Sequence, residues 1–141
     1  MKRFVLDTNV VVSALSWGGL SQKTIDIIQQ NSWGIITTKA LIDELIVTLD
    51  KPKLSPILAK VGKPASWFIT QYTTLVTWVL RVFVPSDVTR DPKDVIVLAC
   101  VIGGQADAIV TGDKDLLVLT NYQNIAIMSP QTFVSAYGEL S

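Results

Sequence analysis

The chain has 141 residues but no histidine and only one cysteine, Cys100. Without histidine, and with a single soft ligand, a metal site would have to be built from oxygen atoms, which suits Mg²⁺ or Mn²⁺ and disfavours zinc. One cysteine cannot form an internal disulfide, and its isolation fits a protein from a reducing compartment. A disulfide framework is therefore excluded, and a zinc centre is disfavoured.

The chain also lacks a long uninterrupted apolar run. Its most apolar stretch, residues 67–84, is broken by Gln71, by five threonine or tyrosine positions and by Arg81, so we predict no transmembrane helix. Only three apolar residues separate Arg3 from Asp7, which is too few for the core of a signal peptide. We therefore expect a cytoplasmic protein.

Neither sign of charge is in excess, because twelve basic side chains balance twelve acidic ones. A broad electrostatic grip on nucleic acid is not expected of such a chain. The hydrophobic content of 49% is enough for the core of one domain that spans residues 1–141. The apolar residues, the four tryptophans among them, are more than one small core readily absorbs, so we predict a buried interface, in a homodimer or higher oligomer or with a partner protein.

Apolar runs bounded by turn residues alternate with helical patterns, which predicts an α/β fold with a parallel sheet covered by helices on both faces. The predicted strands lie near residues 3–6, 34–37, 82–84, 108–111 and 125–128. The predicted helices lie near residues 10–17, 21–31, 39–49, 64–79, 92–103 and 131–137. Prolines at positions 52, 56 and 64 predict a short helical or irregular segment between the third and fourth helices.

Residues 73–84 carry two conflicting signals. Their β-branched side chains favour a strand, whereas apolar residues at helical spacing continue a pattern that begins at Trp67. We predict a helix first and a strand from about Leu80.

Five acidic residues stand where an open α/β sheet would place a ligand site. They are Asp7, Glu44, Asp94, Asp113 and Asp115. Asp7 ends the first predicted strand and Asp113 follows the fourth, so two carboxylates lie at the carboxyl ends of buried strands, where such sheets bind ligands. Converging carboxylates repel one another unless a cation lies between them. The set therefore predicts hydrolysis assisted by a hard cation.

Each acid also has a simpler structural interpretation. Asp7 could cap the helix that follows it, and Asp91-Pro92-Lys93-Asp94 has the pattern of an N-cap, a first helical proline and a capping-box acid. Glu44 could be a solvated mid-helix residue, and Asp113 with Asp115 could form a turn and the cap of a short helix. We favour the ligand role for Asp7, Asp94 and Asp113, and we leave Glu44 and Asp115 open.

Taken together, four parts of the sequence resemble the PIN-domain ribonuclease family, and the resemblance spans nearly the whole chain. They are Phe4-Val5-Leu6-Asp7-Thr8-Asn9, Glu44, Asp91-Pro92-Lys93-Asp94 with Ala99, and Ile109-Val110-Thr111-Gly112-Asp113-Lys114-Asp115-Leu116-Leu117. More narrowly, the chain resembles the toxin components of toxin–antitoxin systems, whose best-known members are the VapC toxins. The specificity of the resemblance lies in the ordered set of acids at these intervals.

The resemblance implies a three-layer α/β/α fold with a parallel sheet of about five strands in the order 3-2-1-4-5. It implies Mg²⁺ or Mn²⁺ as cofactor, RNA as substrate of an endonuclease, and a dimer silenced by an antitoxin. The acids at the family's metal-binding positions would be Asp7, Glu44, Asp94 and Asp113, with Asp115 as an auxiliary ligand. The polar residues that orient these carboxylates would be Thr8, Asn9 and Thr111. Candidate contacts to the RNA backbone in the same loops are Lys39, Lys93 and Lys114.

Two alternatives to this interpretation remain. Asp91-Pro92 departs from the simplest toxin pattern, so Asp91 competes with Asp94 as the third acid. The chain could also be a catalytically idle module that binds RNA or a protein, and metal dependence would distinguish the two. A dehalogenase-like phosphatase wants a second aspartate where Asn9 stands, and a receiver domain wants one where Val84 leads into Pro85, so both fit poorly.

Overall fold

A computed structural model of the chain describes residues 1–79, 92–122 and 124–138, with side chains from residue 95 onward in the second range. The strands are β1 (Arg3–Leu6), β2 (Gly34–Thr37), β3 (Val76–Trp78), β4 (Ala108–Val110), β5 (Asn121–Tyr122) and β6 (Ile125–Met128). The helices are α1 (Thr8–Ser16), α2 (Gly19–Gln30), α3 (Lys39–Leu49), α4 (Ser55–Val61), α5 (Ala65–Thr73), α6 (Pro92–Gly104), α7 (Lys114–Leu117) and α8 (Pro130–Tyr137).

The strands form one sheet in the order β3-β2-β1-β4-β6-β5. Neighbouring strands are parallel except at the edge, where β5 pairs antiparallel with β6. In the middle of the sheet Val5 of β1 lies between Ile36 of β2 and Ile109 of β4. The five parallel strands confirm the expected order 3-2-1-4-5, and the short antiparallel β5 is an addition that the sequence did not indicate.

Helices cover both faces of the sheet, which confirms the three-layer architecture. Because side chains alternate along a strand, Phe4 and Leu6 of β1 pack into a core with α1, α2, α5 and α8, while Val5 packs into a second core with α6 and α7. Helix α3 reaches both cores, since Leu41 belongs to the second and Leu45 to the first. Helix α3 thus lies where the two layers meet.

The third strand differs from the prediction. A helix was predicted over residues 64–79, but α5 ends at Thr73 and β3 pairs in parallel with β2, so that Ile35 lies beside Val76 and Thr37 beside Trp78. The β-branched side chains favour the strand, and pairing with an existing strand satisfies its backbone groups, which outweighs the helical spacing. The strand predicted at 82–84 lies outside the described residues.

The proline-containing segment after α3 is short and helical, as predicted. Pro52–Leu54 form a single 3₁₀ turn, α4 follows directly, and Gly62 ends it in the left-handed conformation with a φ of 77°. Leu54 is buried in the first core and anchors the 3₁₀ turn there. Within the described ranges, no helix is long and apolar enough to cross a membrane.

Candidate functional site

Asp7 lies at the carboxyl end of β1, where its backbone N–H still donates to the carbonyl of Val110 on β4, at 3.0 Å. Its extended backbone makes it the N-cap of α1, and Oδ1 accepts a hydrogen bond of 2.7 Å from the N–H of Thr8. The capping interpretation is therefore correct, and it explains why α1 begins two residues earlier than predicted. Asp7 is only 8% exposed, so the other oxygen, Oδ2, also needs a partner.

That partner is Thr111, which follows β4 and is fully buried. Its hydroxyl donates to Asp7 Oδ2 at 2.7 Å and accepts from the backbone N–H of Asp113 at 3.0 Å. The hydroxyl thus connects the ends of two neighbouring strands. Since Oδ1 and Oδ2 each accept one hydrogen bond, each keeps a lone pair for a further ligand.

Asp113 is half-buried and caps the short helix α7, because its Oδ1 accepts from the N–H of Asp115 at 2.9 Å. Asp115 itself is exposed in the first turn of α7. The structure therefore contains the turn and helix cap that the sequence offered as the simpler interpretation of Asp113 and Asp115. Capping uses one lone pair of one oxygen, so it leaves Asp113 able to bind a cation.

Glu44 is half-buried on α3, and its Oε2 atom is buried. It lies between Leu41 and Leu45, which pack into the two different cores, so the helix face that carries Glu44 borders the edge of the sheet. Asp43, its neighbour, is exposed and forms an ion pair with Lys39 at 2.8 Å. Of these two consecutive acids, only Glu44 reaches the cavity described next.

A cavity of about 180 Å³ opens at the carboxyl edge of the sheet. Its lining residues are Asp7, Thr8, Asn9, Glu44, Thr48, Lys51, Lys53, Val97, Asp113 and Leu116. Three of the five predicted acids therefore line one cavity although they come from three distant parts of the chain. Asp94 is in the first turn of α6, three residues before Val97, and its side chain is outside the described part of the structure, as is Asp91.

Two lysines of this cavity were missed by the sequence analysis. Lys51 and Lys53 flank Pro52 just after α3, the helix that carries Glu44, and that proximity was the available signal. Of the three lysines that were predicted, Lys39 pairs with Asp43 and Lys114 is exposed at the start of α7, and neither lines the cavity. The side chain of Lys93 lies beyond the described atoms.

The donors at the cavity suit a hard cation. They are carboxylate and hydroxyl oxygens, and the thiol of Cys100 is buried in the second core, where burial raises its pKa from 9.0 to about 12. Oxygen donors of this kind bind Mg²⁺ or Mn²⁺. Among the side chains that the structure describes, which exclude Asp94, no three acids lie close enough together to form a metal cluster. A complete metal shell would therefore need Asp94 or bound water in addition to Asp7 and Asp113.

Comparison with known proteins places this geometry in context. Residues 3–115 match the sequence model of the PIN domain. No curated protein matches the chain. Among solved structures, the fold is similar to a chain in the crystal structure of VapBC2 from Rickettsia felis bound to a DNA fragment from their promoter. The TM-score is 0.63, with 90% of this chain and 98% of that chain covered at 12% sequence identity, so the likeness extends to the fold alone.

Proposed function

We propose that this chain, which belongs to the PIN-domain family, is a metal-dependent endoribonuclease and the toxin of a toxin–antitoxin pair. The observation that carries the proposal is the convergence of Asp7, Glu44 and Asp113 on one cavity at the carboxyl edge of a parallel sheet. Active sites of open α/β folds lie at this edge. Carboxylates that converge without a cation would repel one another, which makes the arrangement costly unless it binds one.

In this proposal Asp7, Asp94 and Asp113 hold Mg²⁺ or Mn²⁺, with Asp115 as an auxiliary ligand. When bound, the cation supplies a Lewis acid for the scissile phosphate and for the attacking water. Thr111 and the N–H of Thr8 fix the orientation of the Asp7 carboxylate, while Asn9 lines the cavity beside it. Such preorganisation removes the energetic cost of arranging ligands during the reaction.

Glu44 lines the same cavity as Asp7 and Asp113 but comes from a different helix, α3. We assign it to orienting the attacking water and accepting its proton, a role that requires a carboxylate within hydrogen-bonding reach of that water. Its matched neighbour Asp43 is exposed and paired with Lys39. Substituting either of these two consecutive acids removes one negative charge, so a comparison of the two variants tests whether the position of the carboxylate matters.

An antitoxin partner and a homodimer are part of the same proposal. They are supported by the shared fold with a chain of the VapBC2 complex and by large apolar side chains at the surface. These exposed side chains include Leu20, Ile46, Val47 and Val118. Exposed apolar groups in such number are typical of proteins with partners. A cytoplasmic location is likewise proposed.

The test is cleavage of end-labelled single-stranded RNA by the purified protein in Mg²⁺ or Mn²⁺, with EDTA as the metal-free control. We expect Asp7→Asn, Asp94→Asn and Glu44→Gln each to abolish cleavage. Asp43→Asn, which removes the same charge next to Glu44, should leave cleavage at the wild-type rate. Cleavage that survives EDTA or Asp7→Asn would refute the metal-dependent mechanism.

A catalytically idle PIN-fold module that binds RNA or protein is the second candidate. The same assay separates the two candidates, because an idle module would leave RNA intact in the presence of metal while still binding its partner. Folded, monodisperse wild-type protein with no cleavage in either metal would support it.

A further inference from the structure

We propose that single-stranded RNA reaches the cavity along a ridge formed by Lys51, Lys53, Lys60 and Trp17. This inference rests on the proposed function, since it names the surface that would guide the substrate to the acids. It concerns the segment from the 3₁₀ turn to α4, whose lysines played no part in the prediction from sequence.

The segment lies alongside α1 from one end of that helix to the other. At the amino end of α1, Lys51 and Lys53 line the same cavity as Asp7. At its carboxyl end, the ammonium group of Lys60 lies 5.4 Å from the centre of the Trp17 ring, and α4, which carries Lys60, packs against α1. Because α1 has nine residues, its ends are about 14 Å apart. The ridge is thus an elongated surface that begins at the proposed active site.

The charge of this surface differs from that of the whole chain. Residues 51–79 carry four lysines and no acidic residue, whereas the full sequence is neutral. Lys53 and Lys60 are exposed. A row of lysines that leads to a cavity lined by carboxylates suits an RNA strand, because its phosphates can bind the lysines while its scissile bond reaches the acids. The chain can therefore attract RNA locally at this surface although its net charge is zero.

Trp17 gives the ridge a platform for a base. It is 61% exposed at the end of α1 and is followed by Gly18 and Gly19, whose φ angles of 77° and 63° turn the chain sharply into α2. A ring so exposed contributes little to the core, and single-stranded nucleic acids stack their bases on such rings. The nearby Lys60 can bind a phosphate beside a stacked base.

These features favour a single strand of RNA over the other occupants. A duplex keeps its bases paired and stacked internally, so it would not use Trp17 as a platform. An acidic protein would match the lysines but would bring further carboxylates towards Asp7, Glu44 and Asp113. Both alternatives appear as outcomes of the experiment.

The experiment measures binding of a fluorescein-labelled single-stranded RNA of about 12 nucleotides, a length within the range of single-strand sites. Binding is followed by fluorescence anisotropy in EDTA at several salt concentrations. Two variants, Lys60→Gln and Trp17→Leu, each remove one side chain from the end of the ridge that lies away from the cavity. Two matched controls make the same changes elsewhere, Lys23→Gln on α2 and Trp78→Leu on the edge strand, because Lys23 is exposed and Trp78 is 44% exposed.

We expect Trp17→Leu to weaken binding at least about fivefold, the lower bound for loss of one stacked base. Lys60→Gln should reduce the slope of log affinity against log salt by about 0.7, the value for one phosphate on a single strand. The two controls should bind as wild type does. All four side chains are at least partly exposed, so unchanged melting temperatures would show that the variants are folded.

The outcomes separate this inference from the proposed function. If wild-type protein cleaves RNA in Mn²⁺ while both ridge variants bind and cleave as well as wild type, the ridge is refuted and the nuclease stands, and the surface would then belong to a protein partner. Equal or tighter binding of duplex RNA would also refute it. If wild-type protein neither binds nor cleaves single-stranded RNA, both proposals fail.

Discussion

The hydroxyl of Thr111 donates a hydrogen bond of 2.7 Å to the carboxylate of Asp7, a residue 104 positions earlier in the sequence. The same hydroxyl accepts from the N–H of Asp113. One buried side chain therefore sets both the rotamer of the acid after β1 and the path of the loop after β4. Strands β1 and β4 are parallel neighbours, and this single group links the two proposed metal ligands that follow them.

Thr111→Val should destabilise the protein by about 1–3 kcal/mol, because an isosteric methyl group leaves the Asp7 carboxylate and the Asp113 N–H each short of one hydrogen bond in a buried place. The measurement is the free energy of unfolding in urea. Thr111→Ser keeps the hydroxyl and serves as the control. Equal stability of the valine and serine variants would show that the bond contributes nothing.

Binding of Mg²⁺ or Mn²⁺ should stabilise the fold by about 2.7 kcal/mol when the free ion is 100-fold above its dissociation constant. Asp113→Asn should reduce this increment while leaving the metal-free protein nearly as stable as wild type, because asparagine caps α7 as well as aspartate does. Urea unfolding with metal and with EDTA measures both quantities. Asp43→Asn should keep the full increment in stability. A wild-type protein whose free energy of unfolding does not change in millimolar metal would count against the site.

Cys100 should make the protein less stable as the pH rises above about 9. Burial raises the pKa of its thiol from 9.0 to about 12 in the folded state, so the unfolded chain releases this proton first and gains stability from pH 9 to pH 12. Proton linkage to this thiol alone lowers the free energy of unfolding by about 1.4 kcal/mol between pH 8 and pH 10.

The control for that prediction is Cys100→Ala, whose unfolding free energy should lack the decline between pH 8 and pH 10, whatever its stability at pH 8. Burial, with a smaller effect of Cys100, also raises the pKa of Tyr72 above its ordinary value of 10.0. The loss due to Tyr72 has the same sign but amounts to only about 0.4 kcal/mol at pH 10, where this tyrosine is half ionised in the unfolded chain. A decline of about 1.4 kcal/mol that persists in the alanine variant would contradict the assignment to Cys100.

Gly104→Ala should destabilise the protein by about 1–3 kcal/mol, although alanine is the better helix former. A methyl group at Gly104, at the end of α6, would collide with the side chains of Ile36 and Val79 in the sheet. Thermal and urea unfolding measure the effect. Gly112→Ala is the matched control, because a methyl group there meets no atom within 4 Å, and a variant at Gly104 as stable as this control would contradict the close packing.

Much of the fold follows from local sequence patterns. Apolar periodicity gave the bounds of α3 without error and those of α1, α2, α6 and α8 within about two residues, because a helix or strand buries one face and the pattern of its own side chains shows which face that is. The sequence also placed Asp7 and Asp113 at strand ends, since Asp7 directly follows a short apolar run and only Thr111 and Gly112 separate Asp113 from another. These are properties of residues close together in the chain.

Competing local signals were resolved only by tertiary structure. Residues 76–78 fit a helix by spacing and a strand by β-branching, and their pairing with β2 decides for the strand. That pairing depends on where β2 lies after the whole chain has folded, so no window of neighbouring residues contains it. The short strand β5 exists for the same reason, because it pairs with β6 at the sheet edge.

The composition of the chain by itself determined that any metal site would use oxygen ligands, since no histidine and one buried cysteine leave no other choice. Only the tertiary structure decided that Glu44 lies in one cavity with Asp7 and Asp113, and that Lys51 and Lys53 lie there instead of Lys39. The reason is physical: ligand chemistry belongs to each side chain alone, whereas distance between side chains is set by the sheet order and packing that bring remote segments together.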